Sequence, residues 1–526
     1  MEIKPIVFIA FKGADNHGIG YMRAVLTNEG FKTMVLDLRI GKKAILRNIQ
    51  KSDPMLIGFS IIFQSHFRQF TDLISFLRDE GVKCHFTAGG HYASMKYEEL
   101  FNSVPLLDSI VRFEGEHTIL ELARCMYSGS DWKWIDGLVY MREKRIQINP
   151  LRRVEKELDK FPVKIRPKLP KMAFNMKFAT IIAGRGCVHN CSFCNTREYY
   201  RQMSGPPRRN RSPEMVVNEM VDLYKRKQCA IFMFDDDDFP VTSRNNNWIL
   251  QFCKNLEDKE LKDKIIWKIN CRPDEIDEKN FRLMKENGLF HVFIGIEDGT
   301  EEGLKKLNKK TNTEQNIKNI NLLKELEIGF DYGFMLFQPD TTFNSLNQNL
   351  SFLKILCGDG YTPLTFLKLL PLYETKVEKE LLKKGRLKVT INGTDYDFQV
   401  ESMNDYYNFV MSCLYDCLTG KNGFVNVAQC AISNLEVYFQ FFDTTSESKI
   451  YHKYIHQIIS EFNMFLLSTL KELINVFEAG EQKSGNGLID FYRLIIKTNH
   501  DYYRNLVLYK TAEFIIKSSP AKQSIN

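Results

Sequence analysis

Cys187, Cys191 and Cys194 lie in the run Gly184-Arg185-Gly186-Cys187-Val188-His189-Asn190-Cys191-Ser192-Phe193-Cys194, a C-x3-C-x2-C spacing. Thiolates are soft ligands that suit iron–sulfur clusters. Three of them on one short loop can hold three irons of a cubane and leave the fourth iron without a protein ligand. A zinc site would want a fourth Cys or His at ligand spacing, and His189, enclosed within the loop, fits that poorly. The other nine of the twelve cysteines are scattered. Cys413 and Cys417 among them fall at i,i+4 on an expected helix and read as buried thiols.

The elements that must position this loop come from two alternating series. Phe178–Ile182 reads as a strand leading into the cysteines. Strand-like runs at 230–234, 265–269, 291–296, 328–336 and 364–370 follow, separated by helical periodicity. Residues 176–388 are thus expected to form a partial (β/α)6 barrel in an α/β chain. Residues 1–150 carry an earlier series, with apolar runs at 5–11, 31–38, 56–62 and 84–90. It predicts a doubly wound, Rossmann/flavodoxin-like parallel sheet whose loops at 12–20, 60–65 and 88–92 share the ligand-binding edge. Residues 151–175 read as a Pro-, Lys- and Arg-rich linker. From 389 to 526 the texture is mostly α-helical, with Ile455, Ile458, Ile459, Phe462, Leu466, Leu470 and Leu473 on one face. This aromatic-rich tail is expected to cover the substrate site.

A chain of 526 residues exceeds one ordinary core, so two or three domains are expected. Hydrophobic content of 44% and charged content of 26% are those of a globular protein. No apolar run nears the roughly 20 residues of a membrane helix, and the first residues lack a signal-peptide pattern. A cytoplasmic protein without a membrane partner is expected, and its cysteines form no disulfide framework. The net charge of +7 is modest. The run Arg208-Arg209-Asn210-Arg211 reads as a solvated loop, without the basic stripe or recognisable module of a nucleic-acid binder.

The cysteine spacing, with Phe193 before the last Cys and a strand before the loop, resembles the signature of the radical S-adenosylmethionine (SAM) superfamily. Residues 231–239, with Asp236 in their acidic end, resemble that family's second barrel strand and its SAM-facing terminus. A solvated acidic turn accounts equally for two of the four aspartates. Asn270-Cys271-Arg272-Pro273 resembles the end of the third strand, and Gly295-Ile296-Glu297-Asp298-Gly299 the stretch near the SAM ribose. Arg272 and Glu297 are also open to reading as a structural ion pair. Two turns depart from the pattern: Phe337-Gln338-Pro339-Asp340-Thr341-Thr342 and Tyr373-Glu374-Thr375 stand where Gly-x-Pro-Gly-Glu-Thr and Pro-Gly-Thr are usual.

The cobalamin-binding branch of the superfamily is resembled upstream. Asp15-Asn16-His17-Gly18-Ile19-Gly20 is similar to the Asp-x-His-x-x-Gly segment of B12-binding domains, Ser60-Ile61-Ile62 to their Ser-x-Leu and Gly89-Gly90 to their Gly-Gly. Glu114-Gly115-Glu116 also resembles the branch, which implies that it faces the barrel, and is equally open to reading as a surface turn.

The resemblance, which covers roughly residues 1–385, implies a [4Fe–4S] cluster on the three cysteines, SAM on its open iron, and cobalamin. It implies His17 as cobalt ligand with Asp15 bonded to its other nitrogen. The branch commonly lacks that histidine, which leaves Asp15 and His17 readable as ordinary loop residues. The implied activity is reductive cleavage of SAM to a 5′-deoxyadenosyl radical, and methylation of an unactivated carbon of a small-molecule or peptide substrate. The alternative is rearrangement, cyclisation or epimerisation with the same cofactors. An electron donor of flavodoxin or ferredoxin type is the implied partner. A non-catalytic cobalamin sensor fits the intact triad poorly. The extra cysteine set of tRNA methylthiotransferases is missing from residues 1–150.

Overall fold

The computed structural model describes residues 3–11, 15–240, 246–390, 393–442, 445–483 and 487–518, so positions 12–14 of the first expected loop lie outside the described residues. Five short apolar runs become parallel strands: β1 (Ile6–Ala10), β2 (Thr33–Asp37), β3 (Leu56–Ser60), β4 (His85–Gly89) and β5 (Ser109–Val111). β1 is buried at all five positions, as a central strand covered by helices on both faces must be. The order β2-β1-β3-β4-β5 reverses its winding at β1, and ligands of such sheets bind at that switch point.

The sheet is not purely parallel. β6 (Leu138–Arg142) and β7 (Arg145–Ile148) extend it antiparallel beyond β5. They are joined by Glu143 and Lys144, both at positive φ (51° and 62°), the backbone of a tight hairpin turn. Charged Arg142 and Arg145 end the hairpin strands and discourage pairing with another chain.

The second series opens with β8 (Lys177–Ile181) and a small antiparallel ribbon, β9 (Gly184–Gly186) with β10 (Arg208–Asn210). β11 (Cys229–Phe234), β12 (Ile266–Cys271), β13 (Leu289–Glu297) and β14 (Gly329–Phe334) follow. With β8 they form a five-stranded parallel sheet, β14-β13-β12-β11-β8. The sixth expected run reduces to a bridge between Phe337 and Lys368, with Leu367 N donating to Phe334 O at 2.8 Å. Pro363 and Pro371 bracket it, and proline cannot extend a ladder.

The helix Ser446–Glu478 buries the expected Ile455, Ile458, Ile459, Phe462, Leu466, Leu470 and Leu473, and Thr445 and Ser448 form a capping box at its start. These residues belong to the same continuous hydrophobic core as Phe330 and Leu356 of the barrel. The helix Phe424–Phe441 lies under the N-terminal ends of the barrel strands, where Val437 and Phe441 cover Ile231, Ile266 and Phe290. There Glu436 meets His291 Nδ1 at 3.1 Å, and Gln429 donates to Asp331 at 2.9 Å. This helix closes the end away from the cysteines, where those apolar residues need cover. Among the described residues, no helix is long and apolar enough to cross a membrane.

Candidate active site

The cysteine loop leaves β8 at the C-terminal end of the barrel strands, and backbone contacts fix its path. Asp236 accepts hydrogen bonds from Ala183 N (2.9 Å) and Gly184 N (2.6 Å), bracing the start of the loop. Gly186 sits at φ +90°, and a Cβ there would lie 1.9 Å from Pro207 O, so no side chain fits. Further on, Ser192 N donates to Leu307 O (2.9 Å) and Asn308 Nδ2 to Asn190 O (2.5 Å).

The donor set fits an iron–sulfur cluster. Burial, with Asp238 adding, pushes the Cys187 thiol up to about 12, and burial also raises Cys194. Such thiols ionise when a cation replaces their protons. Arg272 Nη1 stands 3.2 Å from Cys191 Sγ, where it would offset thiolate charge. Cys187 Sγ, a ring nitrogen of His189 and a carboxylate oxygen of Asp238 all lie within 4.8 Å of one another. His189 Nε2 is engaged by Glu275 at 3.0 Å.

The acidic run divides in two. Asp235 and Asp237 are exposed, whereas Asp236 and Asp238 are buried. Burial raises Asp236 to about 7 despite its two backbone donors. Burial and then Glu275 raise Asp238 to about 7, and Arg208 pairs with it at 2.6 Å. Arg272 and Glu297 pair with other residues: Arg272 Nε with Asp274 at 2.8 Å, and Glu297 with Lys309 at 3.3 Å. Lys309 links them, since its carbonyl accepts from Arg272 Nη2. Glu297 has φ +73° where the β13–β14 register shifts. A non-glycine residue at positive φ costs free energy and persists only where its surroundings hold it.

Facing the cysteine loop across a cavity of about 300 Å³ is the C-terminal edge of the first sheet. Ser60, Gly89, Gly90, His17 and Glu114 line it from that side; Arg185, Asp235 and Tyr199 line it from the other. Gly90 has φ +103°, and a Cβ there would lie 2.7 Å from Ile61 O. Gly18 opens to the cavity, its added Cβ meeting only Asn16 Oδ1 at 3.7 Å. Tyr199, on the helix after Cys194, stacks on His91 at 3.8 Å. The glycines and the buried, unbonded His17 Nε2 suit a large cofactor with polar edges.

Five of the sequence-predicted cofactor residues do not line this cavity: Asp15, Gly20 and Asp236, together with Arg272 and Glu297. Asp236 braces the loop from below. Asp15 Oδ2 accepts from Lys164 (2.5 Å), Arg166 (2.9 Å) and Thr180 (3.0 Å). Gly20 lies against the expected linker, its absent Cβ 3.2 Å from Ile165 O and from Lys164 Cβ. The predicted Asp15–His17 contact is replaced by a lysine: Lys164 Nζ reaches His17 Nδ1 at 2.6 Å.

Charged residues that sequence reasoning passed over bind the two halves together. The run 208–211 is no solvated loop: Arg209 is 5% and Arg211 6% exposed. Arg209 pairs with Glu114, Arg211 with Glu219 (2.6 Å) and Arg185 with Glu116 (2.6 Å). Arg166 from the linker also pairs with Glu219. The density of arginine at 208–211 was the available signal; Glu219 lies eight residues on from Arg211, whereas Glu114 lies far from Arg209 in sequence.

Comparison with known proteins gives two family matches. Residues 181–353 match the Radical SAM superfamily and residues 13–123 the B12 binding domain. The chain is 28% identical over 305 residues to an anaerobic magnesium-protoporphyrin IX monomethyl ester cyclase of Rubrivivax gelatinosus, covering 55% of this chain and 53% of the cyclase. It is 26% identical over 315 residues to an uncharacterized methyltransferase of Pyrococcus horikoshii, covering 59% and 66%. The match thus spans between half and two thirds of those relatives' lengths. In fold, the chain is similar to the cobalamin-dependent SAM radical enzyme OxsB solved with aqua-cobalamin and SAM, with TM-score 0.68 and 17% identity over 99% of this chain and 82% of that one.

Proposed function

From the chain's membership of the cobalamin-dependent radical SAM family, we propose that it is a C-methyltransferase acting on an unactivated carbon of a small-molecule or peptide substrate. When bound, the reduced [4Fe–4S] cluster supplies the electron that cleaves SAM to methionine and a 5′-deoxyadenosyl radical, and cobalamin supplies a transferable methyl group. Cys187, Cys191 and Cys194 would hold the cluster, with Arg272 beside Cys191 balancing its charge. Glu297, held by Lys309, would take the SAM ribose. Ser60, Gly89 and Gly90 would cradle cobalamin. An external one-electron donor completes the proposal.

The observation that carries this reading is a cavity bounded both by the glycine edge of one sheet and by residues adjoining the cysteine loop of the other. Both reactive groups would open onto it, and holding reactants together can be worth several orders of magnitude in rate. Arg185, paired with Glu116 at 2.6 Å, lines the cavity and would help exclude water that would quench a radical. The similarity to a cyclase favours one second reading: radical ring formation without methyl transfer.

The experiment uses CD3-labelled SAM, a strong reductant, the cofactor-loaded protein and a cell-free metabolite extract analysed by mass spectrometry. A new species carrying a CD3 group, with 5′-deoxyadenosine and S-adenosylhomocysteine both formed, supports methylation. Substrate-dependent 5′-deoxyadenosine with no CD3 incorporated gives the case to cyclisation.

A further inference from the structure

The geometry points to Lys164 as the residue that holds His17 in the tautomer unable to ligate cobalt, so that His17 serves the cofactor site as an N–H donor. This rests on the reading that cobalamin occupies the cavity His17 lines.

Each recognisable residue of the segment Asp15-Asn16-His17-Gly18-Ile19-Gly20 is engaged by Lys164. Asp15 receives its ion pair at 2.5 Å and His17 Nδ1 its hydrogen bond at 2.6 Å. Gly20 leaves room for its stem, and Ile165 N donates to Gly20 O at 3.1 Å. The Lys164 side chain is 1% exposed, so solvent does not compete for it.

Direction follows from the donor inventory. A lysine paired with a carboxylate is an ammonium, which has N–H donors and no lone pair. Facing it, Nδ1 of His17 accepts and carries no proton. In a neutral imidazole the proton then resides on Nε2. Nε2 lies 3.4 Å from Asp235 Oδ2, an acceptor on the barrel side of the cavity. A metal-ligating histidine has the opposite arrangement, with one ring N–H given to a carboxylate or carbonyl and a bare nitrogen for the metal. Asp15 is not free to impose that arrangement: its Oδ2 is taken by Lys164, Arg166 and Thr180, and its Oδ1 by Asn16 N at 2.9 Å. Lys164 is therefore a positioning residue, acting on the cofactor through His17.

Two measurements decide it. Nitrogen-15 NMR of histidine-labelled protein without cobalamin, with the His17 signal assigned from its loss in His17→Gln, should show the Nε2–H tautomer. Lys164→Arg, which keeps a donor toward Nδ1, should preserve it, and Lys164→Met should shift it toward Nδ1–H. An Nδ1–H tautomer in the unaltered protein overturns the inference, even where Lys164→Met fails to fold. On the holoprotein, reduced to Co(II), the EPR spectrum should lack superhyperfine splitting from an axial nitrogen. Splitting that disappears in His17→Gln overturns the inference too. Failure to take up cobalamin, read from the visible spectrum, would count against the cofactor reading alone, since the NMR result stands without it.

Discussion

Replacing His291 with glutamine removes a buried, titrating imidazole from the barrel floor and leaves hydrogen-bonding capacity in place. Burial alone would push this imidazole down, but Glu436 and Asp331 outweigh it and raise it to about 9. Nε2 lies 3.0 Å from Asp331 and Nδ1 3.1 Å from Glu436, with Lys268 at 3.2 Å from the same Asp331 oxygen. Against an ordinary value of 6.5 the rise is about 2.5 units, or about 3 kcal/mol at 1.36 kcal/mol per unit. Because the folded value is the higher, the stabilisation is complete below about pH 6.5 and is lost as pH rises through about 9. Urea unfolding of both proteins, followed by hydrogen exchange in β13 and the helix Phe424–Phe441, gives the comparison region by region. The stability difference between the two proteins should shrink by about 3 kcal/mol between about pH 6 and pH 10. A difference that stays constant across that range would refute the charged-imidazole account.

Alanine at Cys187, Cys191 or Cys194 should strip most of the roughly four irons per chain that a cubane brings, whereas Cys417→Ser should leave the count unchanged; iron and sulfide assays after anaerobic reconstitution check both. Gly90→Ala places a Cβ 2.7 Å from Ile61 O at φ +103°, adding at least roughly 1–2 kcal/mol of strain. Cobalamin affinity should fall about tenfold or more by optical titration, and an unchanged affinity would remove Gly90 from the cradle. Arg185→Met leaves the largely buried Glu116 without its guanidinium partner, a change of about 3–5 kcal/mol for a broken buried pair. Limited proteolysis within residues 151–175 should accelerate, and an unaltered digestion rate would show that the pair does not hold the two halves together.

What the sequence disclosed was whatever depends on near neighbours. Ile6–Ala10 and Leu56–Ser60 announce themselves as strands because short, fully apolar runs bounded by turn residues have few other uses. The cysteines declare a cluster because their spacing is itself the ligand geometry. The sheet edge was harder: β6 and β7 alternate only weakly, and their antiparallel pairing depends on a turn with two residues at positive φ that no glycine marks. Long-range charge pairing was not legible at all. Arg209 and Glu114 stand far apart in sequence, as do Lys164 and Asp15. Nothing local tells a buried arginine with a distant carboxylate from one in water. The same limit explains why the Asp-x-His spacing suggested a direct contact: the lysine that intervenes comes from a segment without periodicity.

The core shared by the barrel strands and the helix Ser446–Glu478 bears on how the chain leaves the ribosome. The barrel strands are all translated before the helices that complete their packing. From the end of β14 at Phe334 to the end of that long helix at Glu478, roughly 140 further residues must be added, which takes roughly 7–29 s at ordinary elongation rates. During that interval Ile231, Ile266 and Phe290 lack their cover of Val437 and Phe441. A nascent barrel in this state carries an adhesive apolar floor and depends on chaperones or on slow local folding to stay monomeric. Truncation anywhere before Phe441 would make that interval permanent, so shortened chains should accumulate as aggregates and not as smaller working enzymes.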